Sequence, residues 1–251
     1  MFLGLQWHKK LCYTVKNAYF GGSMNIQGFQ KLTLLDFPGT IACIVFTGGC
    51  NFRCPFCHNS GLVLNPKENS NLEKDVLQYL SERKNIIDGV CITGGEPLLQ
   101  PDLIDFIATV KELGYKVKLD TNGYYPEKLK EILDLQLVDY VAMDIKSGER
   151  TYSKLCGIHI DFSRISNSIE LLKESKIPFE FRTTAVKHLH TVEDFAEAAR
   201  LTKGADRYYI QKFVDSGHVM EDGFTAFTEE EMQNILSEAK GENPNAEIRG
   251  E

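Results

Sequence analysis

Six short β-type runs, each followed by a helical pattern, dominate the chain beyond Met24. The expected strands cover residues 41–47, 89–93, 116–121, 138–145, 179–186 and 208–214. Several are apolar almost throughout, the pattern of strands covered on both faces. Leu72, Val76 and Leu80 recur at helical spacing behind Ser70-x-x-Glu73, a capping box. Pro101 introduces a run with Leu103, Phe106, Ile107, Val110 and Leu113 on one face, closed by Gly114. Pro126 opens a third helix that runs to about Leu133. Ile165, Ile169 and Leu172 mark a fourth, and Val192, Phe195 and Ala199 a fifth. Thr228-x-x-Glu231 caps the last, which carries Met232, Ile235 and Leu236. A β-then-α unit repeated six times implies right-handed crossovers and a parallel sheet. The candidates are a doubly wound sheet and a barrel short of the usual eight strands. We expect an α/β fold built as a partial (β/α)6 TIM-like barrel with parallel strands.

In a barrel, functional side chains gather at the C-terminal ends of the strands. The first expected strand runs into GGCNFRCPFCHNS, residues 48–60. The second ends in Thr93-Gly94-Gly95-Glu96-Pro97, the third in Asp120-Thr121-Asn122-Gly123 and the fourth in Asp144-Ile145-Lys146. The fifth carries Arg182 between Phe181 and Thr183, and the sixth carries Gln211 and Lys212. Turn chemistry explains the glycines, but not Glu96, Asp120, Asp144 and Lys146 together. An unpaired Arg182 in an otherwise strand-like run would be costly.

Of seven cysteines in 251 residues, three are clustered and the rest scattered. That usage fits a reducing compartment and a metal or redox site, so a cytoplasmic location is expected. Zinc would need a fourth ligand beside Cys50, Cys54 and Cys57. His58 is adjacent to Cys57, which makes it hard for both to reach one tetrahedral ion, and only one knuckle is present. Iron–sulfur clusters normally take four thiolates, so a cubane held by three keeps one iron open. Spacing and context favour the cluster, with a zinc-stabilised binding module as the alternative that involves no catalysis.

The net charge of −7 argues against broad attraction to nucleic acid or anionic membranes. No apolar run approaches the roughly 18 residues of a membrane span. Residues 1–23 show no sustained periodicity and end in Gly21-Gly22-Ser23; they are expected to be a leader, a tag scar or an arm. The domain is expected over 24–240, with a frayed polar tail over 241–251. Cys43 and Cys91 read as small core hydrophobes, whereas Cys12 and Cys156 have no evident partner. Asp36-Phe37-Pro38-Gly39 is expected to close the barrel bottom or to meet a partner.

Cys50-x-x-x-Cys54-x-Phe56-Cys57 resembles the signature of the radical S-adenosylmethionine (radical SAM) superfamily, and the resemblance extends to Gly94-Gly95-Glu96-Pro97. Within it, LTLLDFPG (32–39), Cys57-His58-Asn59, LDTNG (119–123) and MDIK (143–146) resemble the activating enzymes of glycyl-radical enzymes. The LDFPG element is most similar to those serving anaerobic ribonucleoside-triphosphate reductase, and activases of pyruvate formate-lyase share much of the rest. No cysteine lies between Cys57 and Cys91, so the extra ferredoxin-type cluster domain of some activases is not expected.

The resemblance implies that Cys50, Cys54 and Cys57 ligate three irons of a [4Fe-4S] cluster. The amino and carboxylate groups of SAM would chelate the fourth, and one electron would split SAM into methionine and a 5′-deoxyadenosyl radical. Gly94 and Gly95 would let the backbone approach SAM, with Glu96 or nearby carbonyls accepting from its ammonium group. Phe56 and His58 would adjoin adenine. Asp120, Thr121 and Asp144 would surround a monovalent cation, with Asn122 beside them. Lys146 would pair with the SAM carboxylate or with Asp144, Arg182 would grip SAM or a target backbone, and Gln211, with Lys212 the second choice, would reach the ribose. The implied partners are a glycyl-radical enzyme and a flavodoxin- or ferredoxin-type electron donor. Other glycyl-radical enzymes or a small molecule are the alternative targets.

Overall fold

Eight strands hydrogen-bond in chain order into one open sheet in the computed structural model, which describes residues 24–67, 72–215, 217 and 219–250. The segment 1–23 and Ser70 of the first capping box lie outside the described residues. The strands are β1 (Ile26–Thr33), β2 (Ala42–Thr47), β3 (Gly89–Gly94), β4 (Lys116–Thr121), β5 (Tyr140–Asp144), β6 (Phe179–Ala185), β7 (Tyr208–Lys212) and β8 (Ala246–Arg249). From β2 to β8 every pairing is parallel, and β1 runs antiparallel to β2. The six expected strands are β2 to β7, so the partial-barrel expectation holds, with one additional strand at each edge.

Helices cover the outside: α1 (Ser60–Leu64), α2 (Leu72–Glu82), α3 (Leu103–Glu112), α4 (Pro126–Asp134), α5 (Glu149–Cys156), α6 (Phe162–Glu174), α7 (Val192–Leu201) and α8 (Glu229–Glu242). The capping box expected at Thr228 and Glu231 forms, with each side chain bonded to the other's backbone N–H. An equivalent box closes α7 between Thr191 and Asp194.

The two faces of the sheet differ in chemistry. Val90, Ile92, Val117, Leu119, Val141, Met143 and Phe181 are fully buried in the core beneath the helices. Residues in register point the same way, and the rows Cys91–Lys118–Tyr140 and Asp144–Arg182–Tyr209 face the barrel interior. The interior is thus polar and charged while its outer wall is apolar. At the lower end Phe37 packs against Ala42 and Tyr140, its ring centroid 6.2 Å from that of Tyr140, so the LDFPG turn forms a floor.

The polar tail does not fray. Ala246 is buried, and Arg249 reaches inward to the buried Glu180 through two hydrogen bonds of 2.8 and 2.9 Å. Asn243 and Asn245 tie the approach to the α7–β7 loop, donating to the carbonyls of Thr202 and Ala205, each at 2.9 Å. Polar composition concealed a strand whose inward-facing charge is paired.

Candidate active site

The cysteines occupy the loop between β2 and α1, which backbone hydrogen bonds hold on several sides. Gly49 N–H donates to Leu62 at 2.8 Å, Cys57 N–H to Cys54 at 3.0 Å, Arg53 N–H to Cys156 at 2.7 Å, and Pro55 accepts from Glu221 N–H at 2.9 Å. Phe52 N–H lies 3.3 Å and Asn122 Nδ2 3.8 Å from Cys50 Sγ, two donors to sulfur. Cys50, Cys54 and Cys57 all line one cavity of about 450 Å³ at the C-terminal ends of the strands. Burial pushes the Cys50 thiol up to about 12 and raises that of Cys57. Cys54 departs from this pattern, its thiol lowered by the neighbouring Cys156 thiol and the Lys146 cation against the effect of burial.

The exit of β3 is pressed onto this loop. Gly94 has φ +110°, and a Cβ there would overlap the Thr47 backbone; a Cβ on Gly95 would overlap the carbonyl of Gly49. Only glycines allow the two backbones to meet this closely. Gly95 N–H donates to Thr47 at 2.9 Å and Glu96 N–H to Gly49 at 2.8 Å. Both glycines line the cavity, so they shape its wall by fixing the cysteine loop as well.

Glu96 differs from expectation. It is fully buried, is not in the cavity wall, and uses both carboxylate oxygens within the protein. One accepts from Leu98 N–H at 2.9 Å and the Thr121 hydroxyl at 2.8 Å, and the other from Asn122 N–H at 2.7 Å. Its carboxylate joins the β3 exit to the β4 exit. Burial raises its carboxyl to about 7 against those hydrogen bonds. Asn122 is held in turn, its side-chain amide donating to Asn51 at 2.9 Å.

Beyond the cysteines the wall carries a chain of alternating charges. Asp120 pairs with Lys118 and, at 3.3 Å, with Arg182; Arg182 pairs at 3.0 Å with Asp144, which pairs at 3.2 Å with Lys146. Burial pushes the Asp144 carboxyl up, but the Arg182 and Lys146 cations outweigh it and hold the group down at about 2. Burial likewise disfavours charge on Arg182 and Lys146, and the facing carboxylates more than restore it. At the residues expected to surround a monovalent cation, all four oxygens of Asp120 and Asp144 face protein cations, and the Thr121 hydroxyl is directed to Glu96. The pairing also resolves the cost of a charge on β6, and the chain carries one net positive charge, three cations against two anions.

Phe56, His58 and Gln211 also line the cavity, whereas Lys212 does not. The Lys146 ammonium lies 5.9 Å from the Phe56 ring centroid, and the His58 ring lies 5.3 Å from that of Phe213. Sequence reasoning missed several residues here. Asp36 of the LDFPG turn, Asn59, Thr93 and Thr184 are in the wall, and Asn59 Nδ2 donates to the Gly94 carbonyl at 3.0 Å. Alternation along β6 from Arg182 would have found Thr184. His190 is buried behind the site, with Nε2 2.8 Å from the Lys146 carbonyl and its ring 6.1 Å from Phe56; a lone histidine in a loop gave no signal.

A parallel open barrel with three cysteines converging on its C-terminal mouth defines an enzyme class, and comparison with known proteins agrees. The family model of the radical SAM superfamily matches residues 44–202. The chain belongs to the radical SAM superfamily, and it is a radical SAM enzyme. It is 35% identical over 195 residues to a Methanocaldococcus jannaschii protein named as a glycyl-radical enzyme activating enzyme, covering 75% of this chain and 79% of that one. A second protein of that organism, similarly named, is 26% identical over 210 residues, covering 81% and 76%. Among solved structures, a radical SAM methyltransferase from Sphaerobacter thermophilus superposes with a TM-score of 0.68 at 14% identity, over 87% of this chain and 68% of that one. Streptococcus suis SuiB bound to S-adenosylmethionine gives 0.64 at 16%, over 80% of this chain and 48%, about half, of its own. These structures share the fold.

The family uses a [4Fe-4S] cluster and SAM. The donor set suits the cluster: three thiols in one cavity, with N–H donors on the sulfur of Cys50. Asn51, between the first two cysteines, keeps a buried side-chain amide nitrogen without a partner among the described residues, a donor that cluster sulfur could satisfy. Among the described residues no three His, Cys, Asp or Glu side chains gather on a single-ion site. Cluster ligands bind separate irons and need not do so. No helix among the described residues is long and apolar enough to cross a membrane.

Proposed function

We propose that this enzyme activates a glycyl-radical enzyme, and that its target is anaerobic ribonucleoside-triphosphate reductase. The observation that carries the activase reading is the 35% identity, over most of both chains, to a relative of that name. The narrower target is supported by the LDFPG element, whose Phe37 floors the barrel while Asp36 lines the cavity.

In this reading Cys50, Cys54 and Cys57 hold three irons. When bound, the cluster and SAM would together supply the reductively generated radical that abstracts a hydrogen atom from a backbone glycine of the partner. The protein's own residues bind, orient and exclude water. The cationic excess of the Lys146–Asp144–Arg182–Asp120–Lys118 chain would receive the SAM carboxylate, with Lys146 and Arg182 in the cavity wall as its donors. Its ammonium group would meet the backbone carbonyls of Thr93 and Gly94 at their second lone pairs, the first being taken by Thr47 and Asn59. Phe56 and His58 would adjoin adenine, and Gln211 with Thr184 would reach the ribose; all four line the cavity. The gap between β1 and β8 leaves a side opening for a polypeptide loop. A flavodoxin- or ferredoxin-type protein delivers the electron in the cytoplasm.

The test mixes anaerobically reduced enzyme and SAM with purified anaerobic ribonucleotide reductase and reads electron paramagnetic resonance (EPR). A glycyl radical on the reductase is expected. A radical on pyruvate formate-lyase alone would redirect the target, and 5′-deoxyadenosine formation without radical on either partner would point to a small-molecule substrate.

A further inference from the structure

Glu180 and Arg182 leave the same inner face of β6, two residues apart, and Glu180 is only 1% exposed. A buried carboxylate so placed, without a partner, would compete with Asp120 and Asp144 for Arg182. Three hydrogen bonds hold it elsewhere. Arg249 of β8 donates to its two oxygens at 2.8 and 2.9 Å, and the Tyr140 hydroxyl donates to one of them at 2.8 Å. Burial pushes the Glu180 carboxyl up, but Arg249, Arg182 and Tyr140 outweigh it and hold the group below its usual range, so it stays ionised. Arg249 starts nearer the mouth, in register with Gln211 of the cavity wall, and its guanidinium lies 3.5 Å from the Tyr209 ring centroid. Stacking and a two-point contact fix the guanidinium in place. Lys118, Arg182 and Lys146 are committed to Asp120 and Asp144, and Arg207 donates to the Tyr140 hydroxyl at 3.2 Å instead. Arg249 is thus the cation that neutralises Glu180.

We infer that Arg249 is a positioning residue for SAM: by neutralising Glu180 it keeps that carboxylate off Arg182 and preserves the positive excess of the ion chain. The charge count shows why one residue on an edge strand matters. The ion chain holds three cations against two anions. An unneutralised Glu180 makes it three against three, and the excess that would meet the SAM carboxylate is gone. In buried surroundings one added anion at this range lowers affinity by about tenfold. The effect depends on the charge of Glu180 rather than on the contact itself, so removing both partners restores the count.

The experiment reconstitutes the full chain anaerobically as wild type, Arg249→Met, Arg249→Lys and the double variant Glu180→Gln/Arg249→Met. Iron is counted, and the SAM dissociation constant is measured by calorimetry on the oxidised cluster, where no cleavage occurs, at about pH 8.5 to keep Glu180 ionised. Arg249→Met is expected to bind SAM about tenfold more weakly than wild type. The double variant is expected to return close to wild type, because the anion has gone with its cation. Arg249→Lys, which keeps the charge, is expected to lie nearer wild type than Arg249→Met. Wild-type affinity in Arg249→Met, a double variant as weak as the single one, or a lysine variant as weak as methionine would overturn the inference. If Arg249→Met holds no iron, the double variant is read alone. Iron and SAM binding near wild type there support the charge role; weak SAM binding or lost iron assigns Arg249 to the docking of β8 and overturns it. The inference rests on the ion chain receiving the SAM carboxylate, which Arg182→Met tests separately. Unchanged SAM binding in that variant removes the receiver itself, whereas weakened binding there with wild-type affinity in Arg249→Met removes only the role of Arg249.

Discussion

Glu96 illustrates how a residue that looks like a ligand can serve as scaffold. Three hydrogen bonds converge on its carboxylate in full burial, and its carboxyl is nonetheless raised to about 7 from an ordinary 4.5. The folded chain holds this proton more tightly than the unfolded chain. Its stability contribution is complete below pH 4.5 and is lost as pH rises through 7. Denaturant unfolding of the apoprotein at stepped pH is expected to show wild type losing about 3 kcal/mol relative to Glu96→Gln across that window. A pH-independent difference would contradict it. Arg182 is the complementary case, a buried cation between two carboxylates. Arg182→Met leaves Asp120 and Asp144 facing each other with one shared cation gone. It is expected to cost about 3 kcal/mol of stability and to weaken SAM binding, both read by thermal shift with and without SAM. Unchanged stability would mean that the ion chain is not a structural unit. The types and positions of these residues were legible, because charge at the end of an apolar strand has few innocent explanations. Their partners were not: Thr121 turning to Glu96, and Arg182 pairing with both Asp120 and Asp144, are products of neighbouring strand ends that only the fold brings together.

At the scale of elements, the junction between the β3 exit and the cysteine loop is the tightest in the site. Gly95→Ala would drive a methyl group into the Gly49 carbonyl, so the loop must shift. The variant is expected to fold, because helices and outer core are untouched, yet to retain well under half the iron of wild type after reconstitution. Full iron content would show the loop to be more yielding than its hydrogen bonds suggest. The inner strands β2 to β7 were legible from their apolar outer face and from the helical periodicity between them. The edge strands were not. β1 pairs through two register shifts, which break the alternation that marks a strand. β8 looks like tail because its four residues include Glu247 and Arg249, and the Glu180 that neutralises Arg249 is 69 positions away.

For the molecule as a whole, the organising feature is a barrel whose inside is polar and whose outside is apolar. An apolar outer wall lets the helices bury the sheet without drawing the strand-end charges away from the cavity. The floor at Phe37 and the open edge between β1 and β8 give the interior one closed end and one accessible side. Three thiols at the mouth leave one corner of a cubane for another ligand, and the adjoining ion chain carries the one excess positive charge a carboxylate would meet. The most direct measurement is the EPR spectrum of the anaerobically reconstituted, reduced protein before and after addition of SAM. The account predicts a [4Fe-4S]⁺ signal whose shape and g-values change when SAM binds the open iron. A cluster signal that is identical with and without SAM would contradict it.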